Sequence, residues 1–516
     1  MSKGNILLAA AAAAGLAQGA YAAGAPERLF LQKVSTHSTV VKWRGGDADR
    51  VCYSSKIKDL GKRNWPRCVD GIPTEGGHLE ALLTGLAPDK GYFYSVGGHV
   101  DPGQYFNTAP NGNRPPRDGN THILIVGDSG TQSEGDHDGE AAEVLAGFEQ
   151  YNATQGGGEP LDLFLALGDN AYVAGTDAQW QESFFEIYPD ILRSASVYTT
   201  IGNHEMGYGA VPLCAFDPRV PCPPEGPSIP FGGVSISDDP GSYDGNGDLQ
   251  PDGGMPYLDI FSLPANGESG GVPSGTEQYY SANYGNVHIV SLDSQLTARD
   301  DVQRANMKAW LEADLAANTR DWTVVIFHHP PYTKGANHDS DEPNFVDGPE
   351  LSLREEFTPV FEAYGVDVVY SGHSHSYERS YYLRGHTGIS DTFDALTHAE
   401  LNDAGEPSLG YGDDEYQQLS PTSGGVDDRV IYTVAGSSGK NDERGDRDTG
   451  EDWLQHEAHI PLTVNDDCTA SGPAGATGCR GLAEKGSVVL DATATSLRAR
   501  FVDVNGDVLD EFTINR

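Results

Sequence analysis

Basic residues are scarce in this chain. Of 516 residues, 33 are Lys or Arg against 76 Asp or Glu, for a formal net charge of −43 and a pI near 4.5. Sequence-independent binding to a nucleic-acid backbone needs a basic face, so that class is excluded. Docking on anionic lipid is equally disfavoured. Cysteine is scarce too, with six in all. No two of them stand in a Cys-x-x-Cys spacing, which argues against a thiolate zinc site or a dithiol redox motif. Long apolar runs are missing after the N-terminus, so nothing downstream offers the ~20 apolar residues of a membrane-spanning helix. There is no internal repeat.

What is present describes a folded, exported protein. Hydrophobic residues make up 38% of the chain, with 24 Tyr and 17 Phe to anchor cores, which excludes a disordered polymer. The 64 glycines imply long irregular loops. The length allows two to four domains at roughly 100–200 residues each. Lys3, the Ala-rich run Ile6 to Ala17 and the Ala20-Tyr21-Ala22 tripeptide have the layout of a signal peptide over residues 1–22. The protein is therefore expected to be secreted or periplasmic. The cysteines form three close pairs, Cys52 with Cys68, Cys214 with Cys222 and Cys468 with Cys479. Local pairing is the simplest of their connectivities in an oxidising compartment.

Residues 26–108 read as a small all-β module, with short alternating runs such as Thr39-Val40-Val41-Lys42-Trp43 between Gly and Asp turns. The stretch Leu83 to Val96 resembles the tyrosine-corner region of a fibronectin type III sandwich, with Trp43 as its core tryptophan. Thr108 to Asn120 reads as a linker. From about 121 to 516 the rhythm is α/β. Strands are predicted at His122–Val126, Leu161–Leu167, Val197–Ile201, Val287–Leu292, Thr323–Phe327, Val366–Tyr370 and Val430–Val434, with helices over Glu140–Tyr151 and Val302–Ala317. A β-rich piece, Ser487–Ile514, closes the chain around an Asn505-Gly506 turn. Regions 207–280 and 385–480 are long for loops.

Five of these strands end in a polar cluster. They are Gly127-Asp128-Ser129-Gly130, Gly168-Asp169-Asn170-Ala171-Tyr172, Gly202-Asn203-His204-Glu205, His328-His329-Pro330 and Gly372-His373-Ser374-His375. The C-terminal ends of strands in an α/β sheet converge on one crevice, so these side chains should meet. Hard oxygen donors mixed with imidazole suit iron, zinc or manganese rather than calcium or copper(I). The glycines let the backbone turn tightly, so that the next side chain points inward.

The order GDSG, GDNAY, GNHE, VIFH, GHSH over residues 127–379 resembles the metallophosphoesterase superfamily. Tyr172, three residues after Asp169, resembles the mark of its purple acid phosphatase branch, and the leading β module is similar to that of plant-type members. The resemblance implies a fold of two stacked β-sheets flanked by helices, preceded by the fibronectin-like domain. It implies a ferric site of Asp128, Asp169, Tyr172 and His375. A second site, for Zn2+, Mn2+ or Fe2+, would use Asp169, Asn203, His328 and His373, with Asp169 shared. A hydroxide generated on such a pair would attack phosphorus in line. His204, next to Asn203, is the candidate general acid for the leaving group and a substrate contact. Glu205 either holds that imidazole or serves as a structural carboxylate. His338, six residues after Tyr332, resembles a phosphate-contacting histidine of plant-type members. His329 is assigned an outer role, Tyr377, Glu378 and Arg379 a supporting one, and His137 either the pocket mouth or a helix start.

The expected function is an exported acid phosphatase acting on small phosphomonoesters. The alternatives are a phosphodiesterase or nucleotide hydrolase of the same superfamily, and a binding or adhesion protein. No nucleic-acid or membrane partner is expected, and the sandwich module offers a surface for a homodimer. A chain this acidic repels an anionic substrate at long range. Moderate salt should therefore leave kcat/KM for a doubly charged monoester unchanged or raise it.

Overall fold

The computed structural model describes residues 26–516 apart from 63–65, 134–136, 174, 207–254, 296, 336–337, 342–347, 419–426, 442–452 and 463–478. The expected signal peptide, Cys214, Cys222 and Cys468 lie outside the described residues, as does most of the first long loop. Cys52 is bonded to Cys68. Cys479 is disulfide-bonded as well.

Eight strands precede residue 110: β1 (Arg28–Gln32), β2 (Ser38–Arg44), β3 (Arg50–Ser54), β4 (Arg67–Asp70), β5 (Ile72–Pro73), β6 (His78–Thr84), β7 (Gly91–Val96) and β8 (His99–Asn107). They enclose a small core of their own built on Trp43, Val51, Leu83, Tyr94 and Phe106. Trp43 is fully buried and its indole N–H donates to the Ala48 carbonyl at 3.0 Å. The Ala87 N–H donates to the Tyr92 hydroxyl at 2.9 Å, so the tyrosine corner read from the sequence is present in its hydrogen bond.

The remaining strands are β9 (Thr121–Val126), β10 (Leu163–Ala166), β11 (Ser196–Thr199), β12 (Tyr280–Tyr284), β13 (Val287–Ser291), β14 (Trp322–Ile326), β15 (Val368–Ser371), β16 (Tyr377–Arg379), β17 (Tyr416–Gln417), β18 (Ile431–Ala435), β19 (Gly486–Ala492), β20 (Ser496–Asp503) and β21 (Val508–Asn515). The seven predicted strands are matched to within two residues at either end. Apolar β-branched runs bounded by glycine and polar residues have few alternatives to a buried strand. Helix Glu140–Thr154 buries Ala141, Val144, Phe148 and Tyr151 on one face. Helix Asp301–Ala317 starts where the Asp300 carboxylate accepts the N–H groups of Val302 and Gln303.

The strands form two large sheets and one small one. The first runs β17-β21-β20-β19-β9-β10-β11-β1-β2-β6-β5, the second β12-β13-β14-β15-β18-β16, and the third β4-β3-β7-β8. A single hydrophobic core lies across the two large sheets, joining Ile123, Leu165 and Val197 of the first to Val290, Val325 and Val369 of the second. This is the two-sheet α/β architecture expected from the sequence. One feature was not expected. Half of the N-terminal module lies in the same sheet as β9, β10 and β11, because β1 pairs in parallel with β11 through Leu31 and Ser196. The Pro- and Gly-rich segment after β8 is also tied down. Arg114 and Arg117 both reach the Asp89 carboxylate at 3.1 Å, and Asn113 donates to Asp321 at 2.8 Å.

Candidate functional site

The parallel strands bring the polar clusters level. Across the first sheet, Val126 pairs with Ala166 and Ala166 with Thr199. Across the second, Ser291 pairs with Ile326, Ile326 with Tyr370, and Tyr370 with Thr433. Each strand therefore delivers its following loop to the same edge of its sheet, and the two edges face one crevice.

All seven predicted donors meet there. The Tyr172 hydroxyl lies 3.0 Å from Asp128 Oδ1, 3.3 Å from Asp169 Oδ2 and 3.2 Å from His375 Nε2. His328 Nε2 lies 3.0 Å from Asn203 Oδ1 and 3.2 Å from Asp169 Oδ2. Asp169, His328 and His373 each offer a ligand atom within 4.8 Å of the others. Asp169 Oδ2 is thus the atom at which the two groups of donors touch. His204 Nε2 points at the same oxygen from 3.8 Å. Its Nδ1 is 2.8 Å from the Val173 carbonyl, which can only accept, so Nδ1 carries the hydrogen and Nε2 faces the cluster. His338 packs its ring 3.8 Å from that of His373.

The local backbone departs from the expected role of glycine. Of the five cluster glycines, only Gly168 is left-handed (φ 91°). The residues after the glycines turn instead, with Asp128 at φ 55°, Asp169 at 52° and His373 at 69°, three of six such non-glycine residues among those described. Each left-handed residue costs on the order of 1–2 kcal/mol, a strain concentrated on side chains that point into the crevice. Gly202 is required for room, since a Cβ there would stand 2.2 Å from Asp169 Oδ1.

The crevice is anionic and its carboxylates are buried. Asp128 and Asp169 are fully buried. Burial alone would strip the proton from His328, but the Asp169 and Asp128 carboxylates outweigh it and raise the imidazole to about 9. Asp169 is correspondingly held well below the usual carboxylate range. Burial lowers His204 to about 4, and Lys440 adds to that, against the pull of Asp169. Buried carboxylates of this kind call for cations.

Around the donors lies a second set of contacts. Glu205 accepts the backbone N–H groups of Asp169, Asn170 and Gly202, each at 2.7 Å. Of its two expected roles this is the structural one, and the His204 imidazole is held by Val173 instead. Glu378 accepts from Ser376 Oγ at 3.0 Å and Lys334 N–H at 3.1 Å, and sits 3.0 Å from His459 Nδ1. It thereby joins the loop of His373 and His375 to the loop of His338. His329 stacks 4.3 Å from the His373 ring, with its Nδ1 at 2.9 Å from Ser294 Oγ. His137 pairs with Glu140 at the start of its helix, 3.2 Å away.

Sequence reasoning missed Lys440, whose ammonium sits 3.9 Å from the centroid of the Tyr172 ring. The signal was available. The seventh predicted strand, Val430–Val434, is followed by Ala435-Gly436-Ser437-Ser438-Gly439-Lys440. That is the same strand-then-glycine pattern, passed over because it carries no metal-ligating side chain.

Comparison with known proteins agrees with this geometry. Residues 121–377 match the calcineurin-like phosphoesterase family. An uncharacterized protein of Mycobacterium tuberculosis is 34% identical over 156 residues, 28% of this chain and 27% of that protein. Purple acid phosphatase 18 of Arabidopsis thaliana is 33% identical over 135 residues, 26% of this chain and 28% of its own length. The matched stretch thus spans only about a quarter of these relatives. In fold, the chain is similar to the purple acid phosphatase PPD1 of yellow lupin, with a TM-score of 0.60 at 17% identity, over 95% of this chain and 74% of that one. The domain match spans all five strand-end clusters and places the chain among the calcineurin-like phosphoesterases, with the fold of a purple acid phosphatase over nearly its whole length.

Proposed function

We propose that this phosphoesterase is an exported acid phosphatase that hydrolyses phosphomonoesters at a ferric and a divalent ion. The position of Asp169 Oδ2 carries the reading. It lies 3.3 Å from the Tyr172 hydroxyl and 3.2 Å from His328 Nε2, and so belongs to both groups of donors. Asp128, Asp169, Tyr172 and His375 would hold the ferric ion, and Asp169, Asn203, His328 and His373 the divalent one. The donor set fits such a pair: it is buried, anionic and made of hard oxygens and imidazoles. A phenolate favours ferric over ferrous iron, which sets Tyr172 apart from the other donors. When bound, the two ions supply Lewis acidity towards the phosphoryl oxygens and a water that ionises in acid.

The remaining work falls to the protein. Val173 fixes the His204 ring so that Nε2 faces the reacting centre, and in acid, where the ring is an imidazolium, Nε2 gives its proton to the departing ester oxygen while Nδ1 keeps its own. Asp169 Oδ1 accepts the His204 backbone N–H at 2.8 Å, which locks donor and acid in one frame. His338, packed on His373, contacts the phosphoryl group.

The test is metal analysis with kinetics on purified protein. Iron with one divalent metal, a visible tyrosinate band and faster hydrolysis of p-nitrophenyl phosphate than of its bis-ester are expected. Tyr172→Phe should remove the band. Preference for the diester would move the assignment to phosphodiesterase. A protein that neither binds metal nor cleaves either ester would be a binding module.

A further inference from the structure

The segment Gly436–Asn441 after β18 contributes nothing to the seven donors, yet it is clamped onto the loops that carry them. The Gly436 N–H donates to the Ser376 carbonyl at 3.2 Å and the Ser438 N–H to the Gly127 carbonyl at 3.0 Å. Gly127 returns a bond from its own N–H to Ser438 Oγ at 3.2 Å. Thr131 Oγ1 donates to the Gly439 carbonyl at 2.7 Å, and Asn441 donates to the Ala483 carbonyl at 2.8 Å. A lysine on a backbone held from this many sides has a defined origin for its side chain.

That side chain places its ammonium over Tyr172, 3.9 Å from the ring centroid. His204 packs on the same ring at 4.1 Å. Lys440 is half-buried, so its side chain is partly shielded from bulk water. In a protein of net charge −43, a cation fixed beside the donor cluster is where an anionic substrate gains most. The position also separates two anion contacts. His338 packs on His373 at 3.8 Å and stands 6.2 Å from His375, whereas Lys440 lies over Tyr172, beside the imidazole that protonates the leaving oxygen.

We propose that Lys440 is a specificity-determining residue that binds a second phosphate on the leaving group, so that bisphosphates with neighbouring ester groups are preferred substrates. The proposal rests on the phosphomonoesterase reading above and goes beyond it in naming the substrate class. The ammonium replaces water around the second phosphate with a charge-assisted hydrogen bond, while the scissile phosphate occupies the seven-donor cluster.

Metal-loaded wild type, Lys440→Met and Lys440→Arg are compared on ethylene glycol bisphosphate and on ethyl phosphate, which differ only in the second phosphate group. The wild type should favour the bisphosphate in kcat/KM. Lys440→Met should cut that preference about tenfold, and Lys440→Arg should keep most of it. Calorimetric affinities for pyrophosphate and for inorganic phosphate provide a readout independent of turnover. Their ratio should fall about tenfold in Lys440→Met as well. An equal loss on both substrates, or an unchanged ratio in either experiment, overturns the proposal. If the wild type hydrolyses neither ester, the phosphomonoesterase reading itself is what fails.

Discussion

Asp169 is the side chain on which most of the cluster depends. One carboxylate oxygen faces Tyr172, His328 and His204, and the other accepts the His204 backbone N–H. Its type and spacing were readable from sequence, because a carboxylate after a strand and a glycine has few other uses once five such ends recur in one order. What was not readable is the left-handed backbone of Asp128, Asp169 and His373. Strain is invisible in composition, and the flanking glycines drew the expectation towards themselves. Two outcomes are expected at this scale. Tyr172→Phe removes the visible absorption and lowers iron content, measured by spectrophotometry and metal analysis. His204→Asn lowers kcat on ethyl phosphate by about a hundredfold or more, since an alkoxide needs a proton to leave. On p-nitrophenyl phosphate, whose leaving group is stable unprotonated, the loss is much smaller. Comparable losses on the two esters would remove the general-acid role.

Among the loops, Glu205 ties two strand ends together. Its three bonds go to the backbone of residues 169, 170 and 202, so one buried carboxylate fixes the loops after β10 and β11 against each other. Glu205→Ala leaves those N–H groups buried without an acceptor and should cost about 3 kcal/mol or more. It should also weaken metal retention, measured by thermal melting and by metal content after dialysis. Retained metal content with a lowered melting temperature would restrict Glu205 to general stability. Sequence left the choice between two roles open, because a glutamate beside a histidine is compatible with either until the loops are folded. The segment after β18 shows the opposite limit. Its strand was legible and its glycines followed the pattern, yet a lysine is no ligand for a metal and so drew no attention.

At the scale of the whole molecule, buried carboxyls set the pH response. Burial raises Asp162 to about 7 and Asp367 to about 8, both above their unfolded values. Protons bound in the folded state are released on unfolding, so this stabilisation is complete in acid and is lost as pH rises through those values. The melting temperature should therefore drop between about pH 5 and pH 8, and Asp162→Asn should flatten part of that drop, as followed by calorimetry across pH. The least legible feature at this scale was the join between the N-terminal module and the rest. Pairing of β1 with β11 is made by backbone groups, which every residue type possesses, so no side-chain pattern announces it. Arg28 of β1 also reaches across to Asp177 at 2.9 Å. The two parts are thus not beads on a string. A shortened protein starting at residue 110 would bare the flank of β11 as a row of unsatisfied amide and carbonyl groups, an invitation to intermolecular strand addition. Grafting this catalytic unit onto another carrier would first require something to occupy that flank.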